Sequence, residues 1–331
     1  MLARTVRVRL AAGTALALVA VAALLLWPAR DPQEAVRLRD SLLAHIGTPA
    51  DFAWTPATVP PTFLRNTGPP PEALTRAASQ VVTASDGWSR GLQIAMHLGD
   101  VPGREAPIQK PTAETYRIMF SEGGGYCSDF TQVFVGLALA AGVPVREWGL
   151  AFDGFGGNGH AVVEVFDEVR GKWLMIDPFN SFYPADAATG EPLSMLEFRE
   201  RLRSPRPLET TRIVRISPKV TEFPVDEKLA EYFRRGIDQF YLWWGTNLFS
   251  YEQDPLVAAA ARVSRTVEQA VAMLRGVHPA IMILPTGTNQ ELIRAERQQR
   301  QRTLAYLVAL AVLAVLLVGQ LLLLLPGRRR A

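Results

Sequence analysis

Two uncharged apolar runs near the ends of this 331-residue chain constrain it more than any other feature. The first, LAAGTALALVAVAALLLW, runs from Leu10 to Trp27, and the second, TLAYLVALAVLAVLLVGQLLLLL, from Thr303 to Leu325. A helix rises about 1.5 Å per residue, so about 20 apolar residues cross the hydrocarbon of a bilayer. Both runs meet that length, and the pattern predicts membrane helices over 10–27 and 303–325. The first run also fits a cleaved leader, because Arg4, Arg7 and Arg9 precede it. A cut after Ala29, however, needs a small residue where Trp27 stands, so an uncleaved anchor is expected.

Two spans place the tails 1–9 and 326–331 on one side of the membrane. Arginines in both tails, Arg328 to Arg330 included, predict that this side is cytoplasmic. Arg294, Arg297, Arg300 and Arg302 crowd the opposite flank of the second run, but long loops are exported largely regardless of charge. The central region is therefore expected outside the cytoplasm, periplasmic and tethered to the inner membrane by both ends. The net charge is only +3, with basic residues concentrated beside the spans where they suit anionic head groups. Nothing here has the form of a nucleic-acid-binding patch, so the membrane and not nucleic acid is the expected partner. A single cysteine has no intrachain disulfide partner and leaves the compartment open.

Between the spans the pattern changes several times. Residues 28–71 begin with a plausible helix, Pro32 to Ile46, and then become so rich in proline that an arm or linker is expected. Helical spacing follows near Glu72 to Ser85, Trp88 to Leu98 and Ala113 to Phe120. A further helix, with Phe130, Val133, Phe134, Leu137 and Ala141 on one face, ends at Gly142. Strand-like runs come next at Pro144 to Leu150, His160 to Phe166 and Lys172 to Asp177. Helical patterns return at Met195 to Leu202, Asp226 to Leu248 and Pro255 to Arg275. The expectation is an α+β globular domain over 72–220, helices on a small antiparallel sheet, with a helical extension over 221–302.

Three residues on the core elements can act together. Cys127 stands where Gly123 to Gly125 give way to the helical pattern, and His160 and Asp177 lie on neighbouring strand-like runs. Centring the hairpin loop between Glu168 and Val169 pairs Phe166 with Gly171, Glu164 with Trp173, Val162 with Met175, and His160 with Asp177. Opposed residues hold their Cβ atoms about 4.5–5.5 Å apart, so this register delivers an imidazole to a carboxylate. Such a pair accepts the proton of a thiol nucleophile, and a helix start next to a histidinium favours the thiolate. Taken singly, the three residues have bland readings: a small buried hydrophobe, a strand histidine, a turn aspartate. Asp129 reads as a first-turn residue favoured by the helix dipole. His45, His97 and His278 read as packing or surface residues. Phe240, Tyr241, Trp243 and Trp244 read as core or an interfacial belt, or else as the wall of a cleft.

The segments GYCSDFTQVFVGLALAAGVPVREW, NGHAVVEVF and KWLMIDPFNSFY together resemble the transglutaminase-like superfamily. The resemblance covers Ala113 to Tyr183 and implies a papain-related core with a catalytic triad: Cys127 as nucleophile, His160 as base and Asp177 as the orienting acid within Trp173-x-x-x-Asp177-Pro178. Gly142, Val143, Pro144 and Arg146 match the segment that usually follows the cysteine helix, whereas Val162 stands where the family often has tryptophan. No acidic calcium loop is present, and no cofactor is implied. The Cys127 amide is a candidate oxyanion donor and Tyr126 a candidate second one.

The activity expected from these residues is acyl transfer at an amide through a thioester. Hydrolysis, as a protease or amidase, is favoured over cross-linking because no feature visibly shields a thioester from water. The substrate is expected to be a protein, peptide or other amide-bearing molecule. Two alternatives stand beside it: a non-catalytic scaffold within an envelope or polysaccharide assembly complex, and a zinc site built from Cys127, His160 and Asp177.

Overall fold

The computed structural model describes residues 4–103, 106–218 and 223–324, which fall into two units. The first unit gathers residues up to Leu43, the loop Gly154–Asn158, and the chain from Gln290 onward. Its helices Arg4–Leu26 and Gln290–Leu322 are each long and apolar enough to cross a membrane and pack against each other. Arg7 Nη1 donates to the Leu323 carbonyl at 3.2 Å. The two helices thus run antiparallel, with the start of one beside the finish of the other. The basic stretch Arg328 to Arg330 and Leu325 lie outside the described residues.

The 33-residue helix Gln290–Leu322 exceeds the span, and its early turns carry polar residues. Helix Pro32–Leu43 packs on it. Helical spacing over 32–46 breaks three residues early, and Ala44–Ile46 leaves as a strand. The loop Gly154–Asn158 completes the unit: Gln33 Nε2 donates to Asn158 Oδ1 at 2.8 Å. Gly156, at φ +83, brings its backbone so close to Asp40 that an added Cβ would lie 3.0 Å from the carboxylate. Burial and the nearby Asp40 push the Glu296 carboxyl up to about 7, against Arg37 and Arg300. Asp40 itself pairs with Arg39 at 2.6 Å.

The second unit, Ala44–Asp153 with Gly159–Asn289, is built on one six-stranded sheet. Its strands are β1 (Ala44–Ile46), β2 (Val145–Ala151), β3 (Gly159–Asp167), β4 (Lys172–Ile176), β7 (Phe240–Trp243) and β8 (Ile281–Ile283), in the order β1-β8-β7-β2-β3-β4. All pairs are antiparallel except β1 with β8. A second sheet pairs β5 (Phe182–Asp186) with β6 (Thr211–Arg215). Period-two alternation distributes the side chains of the central strands over two cores. Val145, Val163, Val165, Leu174 and Ile176 pack with Val133, Phe134, Leu137 and Ala138 of the cysteine helix, Cys127–Ala140. Trp148, Leu150, Val162 and Met175 face an aromatic core instead.

Two expectations are corrected here. The proline-rich stretch is not a free arm: Phe52, Trp54 and Phe63 are buried in the aromatic core, each burial contributing about 1.5–3 kcal/mol. Trp54 stacks edge-on against Trp173, with ring centroids 5.2 Å apart, and accepts the indole N–H of Trp173 on its carbonyl at 2.7 Å. Proline forbids a regular ladder, but it does not forbid burying an aromatic ring. The region after 221 is not all helical either. The helical spacing over Asp226 to Leu248 stops at Arg235, and Phe240–Trp243 forms β7 in the sheet, with Phe240, Tyr241 and Leu242 buried. Pro255 to Arg275 is two helices, Pro255–Ala261 and Arg265–Arg275.

One charged cluster inside the aromatic core is fully satisfied. Glu164 accepts from Arg146 Nε at 2.7 Å, Trp148 Nε1 at 2.6 Å and the Met195 amide at 2.7 Å. The Arg146 guanidinium lies over the Trp173 and Trp54 rings at 4.6 and 5.1 Å. Burial pulls Arg146 down from its ordinary value, and Glu164 opposes that.

Candidate active site

The cysteine is set by its backbone. Gly123, Gly124 and Gly125 take φ of +84, +91 and +103, a left-handed run open to glycine, and an added Cβ on Gly123 would strike the Pro102 carbonyl oxygen at 2.3 Å. The Gly124 and Gly125 amides donate to Pro102 and Ala106 carbonyls at 3.0 Å each. Asp129, in the first helical turn, accepts the Tyr126 amide at 2.9 Å and the Ile108 and Gln109 amides at 3.2 and 3.0 Å. This carboxylate therefore staples two pieces of backbone, 108–109 and 126, around the helix start. Cys127 opens the helix and is partly exposed. Its amide is among the first in the helix, which have no intrahelical acceptor. Tyr126 caps the helix and is 47% exposed.

The histidine and aspartate meet as expected, but in another register. Val163 faces Ile176 and Phe166 faces Trp173, a shift of two residues from the expected pairing. An even shift leaves every side chain on its expected face. His160 and Asp177 thus become diagonal neighbours, a separation that a ring can bridge. His160 Nε2 lies 2.7 Å from Asp177 Oδ2, and the Cys127 side chain is near enough to the ring to favour its charged form. With Nε2 engaged by the aspartate, Nδ1 is the nitrogen left for sulfur.

Asp177 is held by four donors. Its Oδ1 accepts the Phe179 and Asn180 amides at 3.0 and 2.9 Å; its Oδ2 accepts His160 Nε2 and, at 2.8 Å, Asn180 Nδ2. Asn180 is a site residue that the sequence reading passed over. The signal was an Asp-x-x-Asn spacing that permits a turn closed by side chains. Ser181, at φ +52, continues the turn. Its carbonyl takes the Ile216 amide at 2.8 Å and its hydroxyl the Ser217 amide at 3.0 Å, which hold the strained backbone in place.

Burial would pull His160 down, but the Asp177 charge and hydrogen bond, followed by Cys127, outweigh it and push the ring up to about 10. The imidazole is thus protonated at neutral pH. Asp177 is fully buried and the His160 side chain is 1% exposed, so the sulfur is the accessible member of the set. Phe179, Tyr232 and Phe233 pack edge-on against the imidazole at 6.0, 5.4 and 5.5 Å between centroids.

Among the described residues no group of three or more His, Cys, Asp or Glu side chains has metal-holding geometry. Of the other histidines, His97 stacks on Phe120 at 4.4 Å and pairs with the Tyr116 hydroxyl at 3.0 Å, while His278 packs beside Trp243 and Tyr251.

Residues 77–178 match the family model of the transglutaminase-like superfamily core, and Cys127, His160 and Asp177 all lie inside that match. A solved structure of a candidate cysteine protease from Cytophaga hutchinsonii aligns with 19% identity and a TM-score of 0.29. That alignment covers 43% of this chain and 47% of the other, so the chain spans about half the length of that structure. No curated protein matches the chain.

Proposed function

We propose, with the transglutaminase-like domain of this chain as the premise, that the protein is a membrane-anchored thiol enzyme that transfers acyl groups from amides. The observation that carries this reading is the His160 ring, held between the Cys127 sulfur and Asp177 and kept protonated at neutral pH. The Cys127 thiolate attacks the amide carbon, and the oxygen takes the charge beside the Cys127 amide at the helix start. As the C–N bond breaks, His160 passes its proton to the departing amine, leaving a thioester on Cys127. Water then attacks; His160 takes one of its protons, the C–S bond breaks, and acid and thiolate are released. Asp177 keeps the ring oriented throughout.

In this reading the hydrolytic outcome prevails and the substrate is a protein, peptide or other amide-bearing molecule. The two apolar helices hold the domain at the inner membrane, on its periplasmic face. The near-complete burial of the His160 ring favours one other reading, a scaffold that keeps the fold for binding within an envelope assembly.

Alkylation with iodoacetamide separates the two. The enzyme reading predicts fast labelling of Cys127 in the folded protein, slowed by about 100-fold or more in His160→Ala. Equal slow labelling of both, released only by denaturant, would overturn the enzyme reading.

A further inference from the structure

An aromatic group lies beside the triad that the reaction as written does not use. Phe152 follows β2, Tyr232 lies in helix Asp226–Arg235, and Phe223 precedes that helix. Tyr232 stands 5.4 Å from the His160 ring, and Phe152 and Phe223 stand 5.0 and 4.6 Å from Tyr232. All three are half-buried, unlike the neighbouring Phe233, which is fully buried. One turn beyond Tyr232, the exposed Arg235 holds its guanidinium 4.6 Å over the Phe152 ring. Among the described residues no carboxylate lies within ion-pair distance of Arg235.

The position decides which half of a substrate meets this group. The acyl half stays on sulfur, whereas the amine half receives its proton from His160 and departs past the imidazole. Tyr232 touches that imidazole and carries Phe152 and Phe223 on its own ring, so this half-buried cluster borders the path of the amine. Stacked or edge-on aromatic contact adds about 0.5–1.5 kcal/mol beyond burial, and an exposed guanidinium selects a carboxylate.

We propose that Phe152, Tyr232, Phe223 and Arg235 form the subsite for the amine half, and that it takes an amine bearing both an aromatic ring and a carboxylate. An aromatic amino acid, or a short peptide that begins with one, has this chemistry. The proposal rests on Cys127 as the nucleophile. By microscopic reversibility the same subsite binds an amine that resolves the thioester: the new N–C bond forms, the C–S bond breaks, sulfur leaves as thiolate and the amine proton passes to His160.

The test uses the full chain in lipid nanodiscs, with p-nitrophenyl acetate as acyl donor. L-phenylalanine, L-alanine or phenethylamine is added as acceptor, and the N-acetyl products are measured by mass spectrometry. N-acetylphenylalanine should form about tenfold or more faster than N-acetylalanine. Tyr232→Ala or Phe152→Ala should bring the two acceptors level, while Tyr232→Phe, which keeps the ring, retains the preference. Arg235→Gln should reduce phenylalanine toward phenethylamine. Cys127-dependent ester cleavage with no preference among the amines would overturn the subsite alone. Equal p-nitrophenol release by wild type and Cys127→Ala would overturn the nucleophile, and the subsite with it.

Discussion

His160 and Asp177 are two residues out of cross-strand register, yet His160 Nε2 and Asp177 Oδ2 lie 2.7 Å apart. The ring spans the diagonal because the carboxylate cannot swing away: two backbone amides and the Asn180 side chain hold it. The alignment of the imidazole is therefore a property of the 177–182 turn as much as of the strands.

Asp177→Asn should reduce Cys127-dependent ester cleavage by about 10²–10⁴-fold in kcat/KM, since the ring loses its charge partner and its fixed tautomer. Asn180→Leu, which fills similar space without a donor, should give a smaller loss in the same assay. Full activity in Asp177→Asn would show that the aspartate only shapes the turn.

Stability should depend on His160 in a definite pH window. Its folded-state value is raised, from an ordinary 6.5 to about 10, so the folded state binds the proton more tightly. The contribution is complete below about 6.5 and declines as pH rises toward about 10. Urea unfolding followed from pH 6 to pH 10 should show wild type losing stability relative to His160→Gln. Parallel curves for the two proteins would contradict the buried charge pair.

Glu164→Ala leaves the Arg146 guanidinium buried without its counterion, at a cost of about 3–5 kcal/mol. Replacing both, as in Glu164→Leu with Arg146→Met, should cost much less than the sum of the single changes. A double-mutant cycle read by chemical denaturation checks this coupling.

Glu296 is raised from 4.5 to about 7, so the folded state prefers its neutral form and loses stability as pH climbs between those values. Glu296→Gln should therefore stabilise the packing of helix Pro32–Leu43 on Gln290–Leu322 at pH 8, by an amount on the order of 2 kcal/mol, and leave it unchanged at pH 4. Hydrogen exchange of residues 32–43 at the two pH values gives the comparison.

The parts of the fold written in local pattern were legible beforehand. The cysteine helix, Met195–Leu202, the three central strands and both membrane runs are all places where one periodicity holds without interruption. The meeting of His160 with Asp177 was legible for the same reason, because parity, not exact register, decides which face a strand residue occupies. Non-local pairing was not legible. Nothing near Ala44–Ile46 or Ile281–Ile283 announces that these short runs lie side by side, and the apolar spacing before Leu248 suits a helix until β2 offers Phe240 to Leu242 a ladder. Trp54 and Phe63 were obscured by the prolines around them. Asn180 was missed because its role depends on the carboxylate three positions back, which only the folded turn brings to its amide.

The sheet order also has a consequence during synthesis. β7 lies between β2 and β8, and β1 joins β8, so a strand made at the beginning waits for one made near the end. The ribosome must pass Ile283 before this edge can close, and the second apolar run starts only twenty residues later, at Thr303. Late non-local pairing is slow. Pairing of β1 with β8 and synthesis of the last apolar helix are therefore nearly contemporaneous events.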